Sequence, residues 1–352
     1  MKKNYKNFIV FCIVCFLGLQ SAVAGFVTWT GGNDDNWANP SNWNTNTVPI
    51  TGDDVTISAA TPYPKLTGNV SVKSLTIAVG ASLNLQDKQI TITDKLDNNG
   101  TLTGGTGAVI FNGNTTIEGL GTFNFYNLTV RSGTLTYESN ITINGTLTCT
   151  VGDFKHGVPG KTVTVAGTNT KIKAANSTPS SVKLYALNIR LGKKLTCEGN
   201  IDITHEFTDN GNFVHSSGNI IFDGTTSISG FPGETKFKKI TVQGGTLTAN
   251  KKIAVSDLEI INTGMLTLSG ELTVKNELKN NGSFNANGKK VTLEPSASTM
   301  TVIGTSNAGD TAFAELSMTG AGGKTLFIHE KITVATLKLE GSSATNTLTV
   351  GG

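Results

Sequence analysis

The sequence predicts an all-β protein, a right-handed parallel β-helix closed at its N-terminal end by a separate cap. Three observations carry that expectation. A strand-turn-strand phrase recurs along almost the whole chain, in which apolar and polar residues alternate at period two. Composition agrees, with 41 Gly against 8 Pro and few helix-forming stretches among many Thr, Val, Ile and Asn. One repeat is longer than the others by about one third of a unit, which a stack of coils accommodates easily.

The chain opens with an export signal. Lys2, Lys3 and Lys6 precede an apolar run over residues 8–19, and Ala22-Val23-Ala24 forms a small-x-small cleavage site before Gly25. Twelve residues span only about 18 Å as a helix, short of the roughly 30 Å hydrocarbon core. Residues 1–24 therefore read as a signal peptide, and no later segment is long and apolar enough to span a membrane. Cys12 and Cys15 lack the small residues that precede a lipidated cysteine. Without the three signal lysines, the 28 Lys and Arg fall to 25, against 25 Asp and Glu. A net charge near zero argues against nucleic acid or an anionic membrane as partner.

Residues 25–66 hold all three tryptophans, in Trp29-Thr30-Gly31-Gly32, Asn36-Trp37 and Asn42-Trp43, followed by Val48-Pro49 and Asp53-Asp54-Val55-Thr56-Ile57. A solenoid has an open apolar end, and terminal units must cover it. Trp29, Trp37 and Trp43 fit such a cap. Two other readings stand beside it: a sugar-stacking platform made by the same rings, and a Ca²⁺ site in the Asp and Asn cluster, although regular Ca²⁺-loop spacing is missing.

Residues 67–352 carry the repeats. Their opening strands centre on Leu75, Leu128, Leu187, Ile240 and Leu316. The first interval sets a repeat of about 53 residues, the next two are similar, and the last is clearly the longest. Residues 90–103 (ITITDKLDNNGTLT) align by eye with 272–285 (LTVKNELKNNGSFN). The excess in the long unit falls near residues 253–271, a stretch of about 18 residues, which suggests three coils of that length per repeat. Some 15 coils would then build a rod of about 70 Å. The alternative is a β-propeller, whose closed ring tolerates a third of a blade badly. Tandem immunoglobulin-like domains need about twice the period.

The Trp-rich opening, followed by phrases such as Phe125-Tyr126-Asn127-Leu128-Thr129-Val130, Gly133-Thr134-Leu135-Thr136 and Ile141-Thr142-Ile143-Asn144-Gly145-Thr146-Leu147, resembles large bacterial cell-surface β-helical repeat proteins of the haemagglutinin and adhesin kind. The resemblance spans nearly the whole chain after residue 24. It implies a secreted or surface-exposed, non-catalytic rod that displays a binding surface to an extracellular glycan or surface protein, with no cofactor. It transfers no catalytic signature. Such proteins often end in an anchoring module, whereas this sequence stops mid-repeat at Gly352, which suggests truncation or attachment through another partner.

Parallel β-helices also host polysaccharide lyases and hydrolases, so an enzyme or a carbohydrate-binding module on the same scaffold is the second reading. The densest polar patch is Asp202, His205, Glu206, Asp209 and His215. On a regular strand Asp202, Thr204 and Glu206 share one face, where carboxylates could act as acid and base. A solvated face is the plainer reading, because the matching strand one repeat earlier is ITINGTLT. His156 and His329 stand alone, and nothing has metal-ligand spacing. Cys149 and Cys197 could pair or sit as two small buried side chains. Thr-x-Thr runs invite an ice-binding reading, set against threonines that change side from coil to coil. The export reading has a direct check: the secreted protein should begin at Gly25 by mass spectrometry, and exported protein retaining Met1 would contradict it.

Overall fold

The computed structural model describes residues 24–177, 179–295, 299–304, 311–319, 325–329, 332–339 and 347–351. The export signal and most of its cleavage site lie outside the described residues. Strand pairing among the described strands is parallel throughout, and the only helical piece among them is a 3₁₀ turn at Pro40–Asn42. A propeller requires antiparallel blades, so the chain is a parallel β-solenoid, of about 13 turns.

Three sides make each turn. On the first, Leu75 stacks on Leu96, Leu96 on Ile117 and Ile117 on Tyr137. On the second, Leu83 stacks on Leu102 and Leu102 on Phe123. On the third, Val70, Ile90, Val109, Leu128 and Leu147 follow one another. These residues point inward and, apart from half-buried Val70 at the end of its column, are almost wholly buried, which makes one continuous core along the axis. Burying each contributes about 1.5–3 kcal/mol, and no single turn could do this alone.

The numbering of these successive partners on the third side shows that the coil is longer, by one or two positions per turn, than the surplus in the long repeat suggests. About 13 turns at about 4.8 Å then give a rod of about 60 Å. The longer coil also changes the meaning of the sequence repeat. From Leu75 the chain passes the sides at Leu83, Ile90, Leu96, Leu102, Val109, Ile117 and Phe123 before it reaches Leu128. Eight sides on a three-sided coil are two and two-thirds turns, not three. Sequence-equivalent strands therefore rotate by one side per repeat: Leu75 lies on the first, Leu128 on the third, and Leu187, stacked on Val163 and Phe207, on the second.

The long repeat contains one whole turn more than the others. Ile253, Leu258 and Leu266 occupy its three sides, resting on Thr235, Ile240 and Leu247 and covered by Leu272, Leu278 and Phe284. Residues 90–103 and 272–285 occupy matching places, starting on the third side at Ile90 and Leu272. Both contain a buried asparagine that closes a corner: Asn98 Oδ1 accepts the Gly100 N–H at 3.1 Å, and Asn280 Oδ1 the Gly282 N–H at 3.1 Å. Asp209 does the same for Gly211 at 3.2 Å. Side-chain acceptors here replace the backbone partner that a turning chain loses.

Elsewhere glycines turn the corner. Gly199 (φ +85°) and Gly218 (φ +81°) stack so closely that a Cβ on Gly218 would lie 2.2 Å from Gly199. Because Ile253 and Leu272 are register partners, removing residues 253–271 should leave every remaining ladder in phase. The expected product is a folded rod shorter by about 4.8 Å in small-angle scattering, with a modestly lower melting midpoint. An unfolded product would contradict the turn assignment.

Candidate functional site

The cap buries all three tryptophans. Trp29, Trp37 and Trp43 are at most 1% exposed. Trp43 meets Trp29 edge-on at 5.0 Å and Trp37 at 4.7 Å between ring centroids. Two indoles are also tied by hydrogen bonds, Trp29 Nε1 to the Pro62 carbonyl at 2.9 Å and Trp43 Nε1 to the Trp37 carbonyl at 2.8 Å. No ring offers a free face, so a sugar could stack here only if the cap opened.

The Asp and Asn cluster beside them is turned on itself. Buried Asn42 accepts the Asn33 and Asp34 N–H groups and donates to Asp34 Oδ1 at 2.7 Å. Hydrogen bonds from Asn39, from the Asn36 backbone and from Asn42 hold the Asp34 carboxyl below its usual range. These N–H donors occupy the lone pairs that a cation would need, and among the described residues no group of three or more Asp, Glu, His or Cys could hold a metal ion. A groove of about 580 Å³ lies alongside, between Trp37, Val48 and Ile50 and the strand residues Val70 and Ser71.

The acidic patch is dispersed by the fold. Strand Ile201–Asp209 bends, and its register with strand Val182–Ile189 shifts between Leu184 and Ala186. Asp202 therefore faces outward from the first side and Glu206 from the second. The expectation that they share one face fails because a corner interrupts the alternation. Asp202 meets Lys183 at 3.2 Å, and Lys183 meets Asp223 at 3.3 Å. Glu206 accepts hydrogen bonds from Thr208 at 2.8 Å and Ser229 at 3.2 Å. Asp209 points inward, where it meets Lys251 at 3.7 Å and accepts from Thr235 at 2.7 Å.

Two aromatic neighbours escaped sequence reading. Tyr185 stacks on His205 at 4.6 Å and meets His156 edge-on at 5.8 Å, with His156 Nε2 3.4 Å from Thr204 Oγ1. Their contact joins residues a turn or more apart, and only the coil length could have placed them together. Burial pushes the Asp202 carboxyl up to about 6 despite Lys183. Burial, and then Lys183, lowers His156. His215 is held neutral by burial, down to about 4, and its Nδ1 accepts the Lys238 N–H at 3.0 Å. Cys149 and Cys197 are buried and unpaired, and burial pushes the Cys149 thiol up to about 12.

Outward threonines lie on all three sides, with Thr116 and Thr136 on the first, Thr103 and Thr164 on the second, and Thr129 and Thr148 on the third. Asn84, Thr103, Asn124, Thr142, Thr164 and Asn188 are consecutive register partners in one column on the second side. The sequence repeat hid this column, because each repeat begins on a different side.

A family model described as a domain of unknown function (DUF8693) matches residues 28–137. The matched stretch begins in the cap's first strand, Phe26–Trp29, and ends with the strand Thr134–Tyr137, so it takes in the cap and the turns stacked on it. No curated protein and no solved structure matches the chain.

Two outcomes follow from these environments. Trp37→Ala should lower unfolding free energy by about 3–5 kcal/mol in denaturant titration, and an unchanged midpoint would show that the ring is not structural. The folded protein binds a proton at His215 less readily than the unfolded chain, whose value is near 6.5. Its stabilising contribution is thus complete above pH 6.5 and lost as pH falls toward 4. His215→Asn, which keeps an acceptor for Lys238, should flatten that part of the stability profile; an unaltered slope would exclude His215 as its source.

Proposed function

We propose that the protein is exported and acts at the bacterial cell surface as a non-catalytic, adhesin-like rod. Its rigid sides would present side chains to an extracellular glycan or a surface protein. The observation that best supports this reading is the fate of the four carboxylates in or beside the acidic patch. Asp202 and Asp223 share one ammonium, Glu206 is held by two hydroxyls, and Asp209 is buried against Lys251. General acid–base work on a polymer needs two carboxyl groups that converge on one bound bond. Here they diverge over two outer sides and the interior.

The second reading is a polysaccharide lyase, hydrolase or carbohydrate-binding module. It draws on the raised Asp202 carboxyl and on the nearby imidazole of His156. A catalytic carboxyl typically supplies about 10²–10⁴ in rate, so activity would be conspicuous. Purified protein incubated with pectin, alginate or chitin should release no oligosaccharide above a blank. Turnover that disappears in Asp202→Asn or Glu206→Gln would replace the display reading with the enzyme.

A further inference from the structure

We propose that removal of the signal peptide completes the cap: the α-ammonium created on Gly25 becomes the counter-ion of buried Asp53. The inference rests on the export reading above and goes beyond it, since it gives the new N-terminus a binding site in the fold.

Two acidic residues are buried among the described residues, Asp209 and Asp53, each 5% exposed. A buried carboxylate is costly unless a cation and hydrogen bonds compensate it. Asp209 has the Lys251 ammonium at 3.7 Å. The Asp53 carboxylate accepts backbone donors alone, the Gly25 N–H on Oδ1 and the Ile50 N–H on Oδ2, both at 2.8 Å. Among the described residues, no Lys, Arg or His side chain comes within ion-pair distance of it. Lys73, on the neighbouring strand Val70–Ile77, is engaged instead by Asp54 at 3.2 Å.

One bond cleavage supplies the missing charge. A peptidase of the export route adds water across the Ala24–Gly25 peptide bond. The water's oxygen goes to the departing Ala24 carboxylate and its two protons to the Gly25 nitrogen, which changes from an amide with one N–H to an ammonium with three. An α-amine, whose ordinary pKa is about 7.7–8.0, is mostly protonated at pH 7. This nitrogen already stands 2.8 Å from Asp53 Oδ1, so the pair forms without movement of the cap. A groove of about 320 Å³ beside Gly25, Thr47 and Asp53 leaves room for water at the two added donors. Asp53 is also a junction of the cap, because its backbone carbonyl accepts the Lys73 N–H at 2.9 Å. Gly25 leads directly into strand Phe26–Trp29, which pairs with Asp54–Ile57 and carries Trp29 into the indole cluster. The charge pair thus clamps the first strand to its neighbours in the processed chain alone, and the cap tightens after export.

The test compares the exported chain with one produced to begin at Ala22, in which the Gly25 nitrogen is again an amide. In denaturant titration the folding equilibrium constant should be about tenfold lower for the longer chain, as expected for loss of a charge-assisted hydrogen bond. In Asp53→Asn the same extension should change the constant by less than about twofold, because a neutral amide has no charge to pair. Equal effects of the extension in both backgrounds would overturn the proposal, and so would no effect in wild type. If Asp53→Asn does not fold, acylation of the wild-type Gly25 α-amine at pH 7, read by mass spectrometry, takes its place. It should run at least about tenfold more slowly in folded than in denatured protein, because the carboxylate keeps the amine protonated; equal rates would overturn the pair. Exported protein that begins at another residue would overturn the proposal while leaving the display reading intact. A Gly25 terminus without an effect that depends on Asp53 would overturn the ammonium pair while leaving export intact.

Discussion

In-register parallel stacking at about 4.8 Å is the constraint on which the rest of this structure depends. It sets each residue directly above a partner roughly one turn earlier, so side chains in a column must tolerate one another. Apolar columns meet that demand by packing Leu, Ile, Val and Phe into one core. Charged columns meet it by alternating sign. Lys73 lies between Asp54 and Asp94 and Glu259 between Lys239 and Lys279, while Lys183 meets Asp202 on the next turn and reaches Asp223 on the one after it. Each exposed pair adds at most about 1 kcal/mol, so the benefit lies mainly in avoiding stacked like charges. Corners obey the same rule, with glycine on glycine where backbones approach, and with buried Asn98, Asp209 and Asn280 where an acceptor is needed.

Much of this was legible before any coordinates. Alternation shows which residues point inward, and the whole-turn insertion at residues 253–271 shows that the unit stacks rather than closes into a ring. Alternation does not reveal which of three sides a strand occupies. That depends on coil length, and a small error per turn accumulates to a full side within one sequence repeat. The unseen pairing of Tyr185 with His205 follows from that one quantity. The acidic patch was misjudged for a local reason: the corner near Tyr185 breaks the period-two pattern between Asp202 and Glu206. The tryptophans illustrate a different limit. Composition marks Trp29, Trp37 and Trp43 as exceptional, but only packing distinguishes a buried cluster from an exposed platform.

The sides of the rod differ in what they offer solvent. The first carries ion-paired charge, while the second carries hydroxyl and amide groups over successive turns between Asn84 and Asn188. A rotating sequence repeat makes that division notable, because copies of one phrase must diverge to keep a single side uniform. Lys95, Lys183 and Asp202 fall on the first side, whereas on the second the column from Asn84 to Asn188 carries hydroxyl and amide groups and Glu206 brings charge one turn later.

The most direct measurement of coil length is a distance between spin labels at Thr103→Cys and Asn188→Cys. These positions are far apart in sequence but only four rungs apart on one side. The native thiols interfere little, since Cys149 and Cys197 are buried and burial raises both above ordinary thiol values. Pulsed electron resonance should give a single narrow distribution centred at about 19 Å, which is four strand spacings, broadened by the label tethers. A distribution centred beyond about 30 Å, farther than six strand spacings, would contradict the stacked three-sided coil.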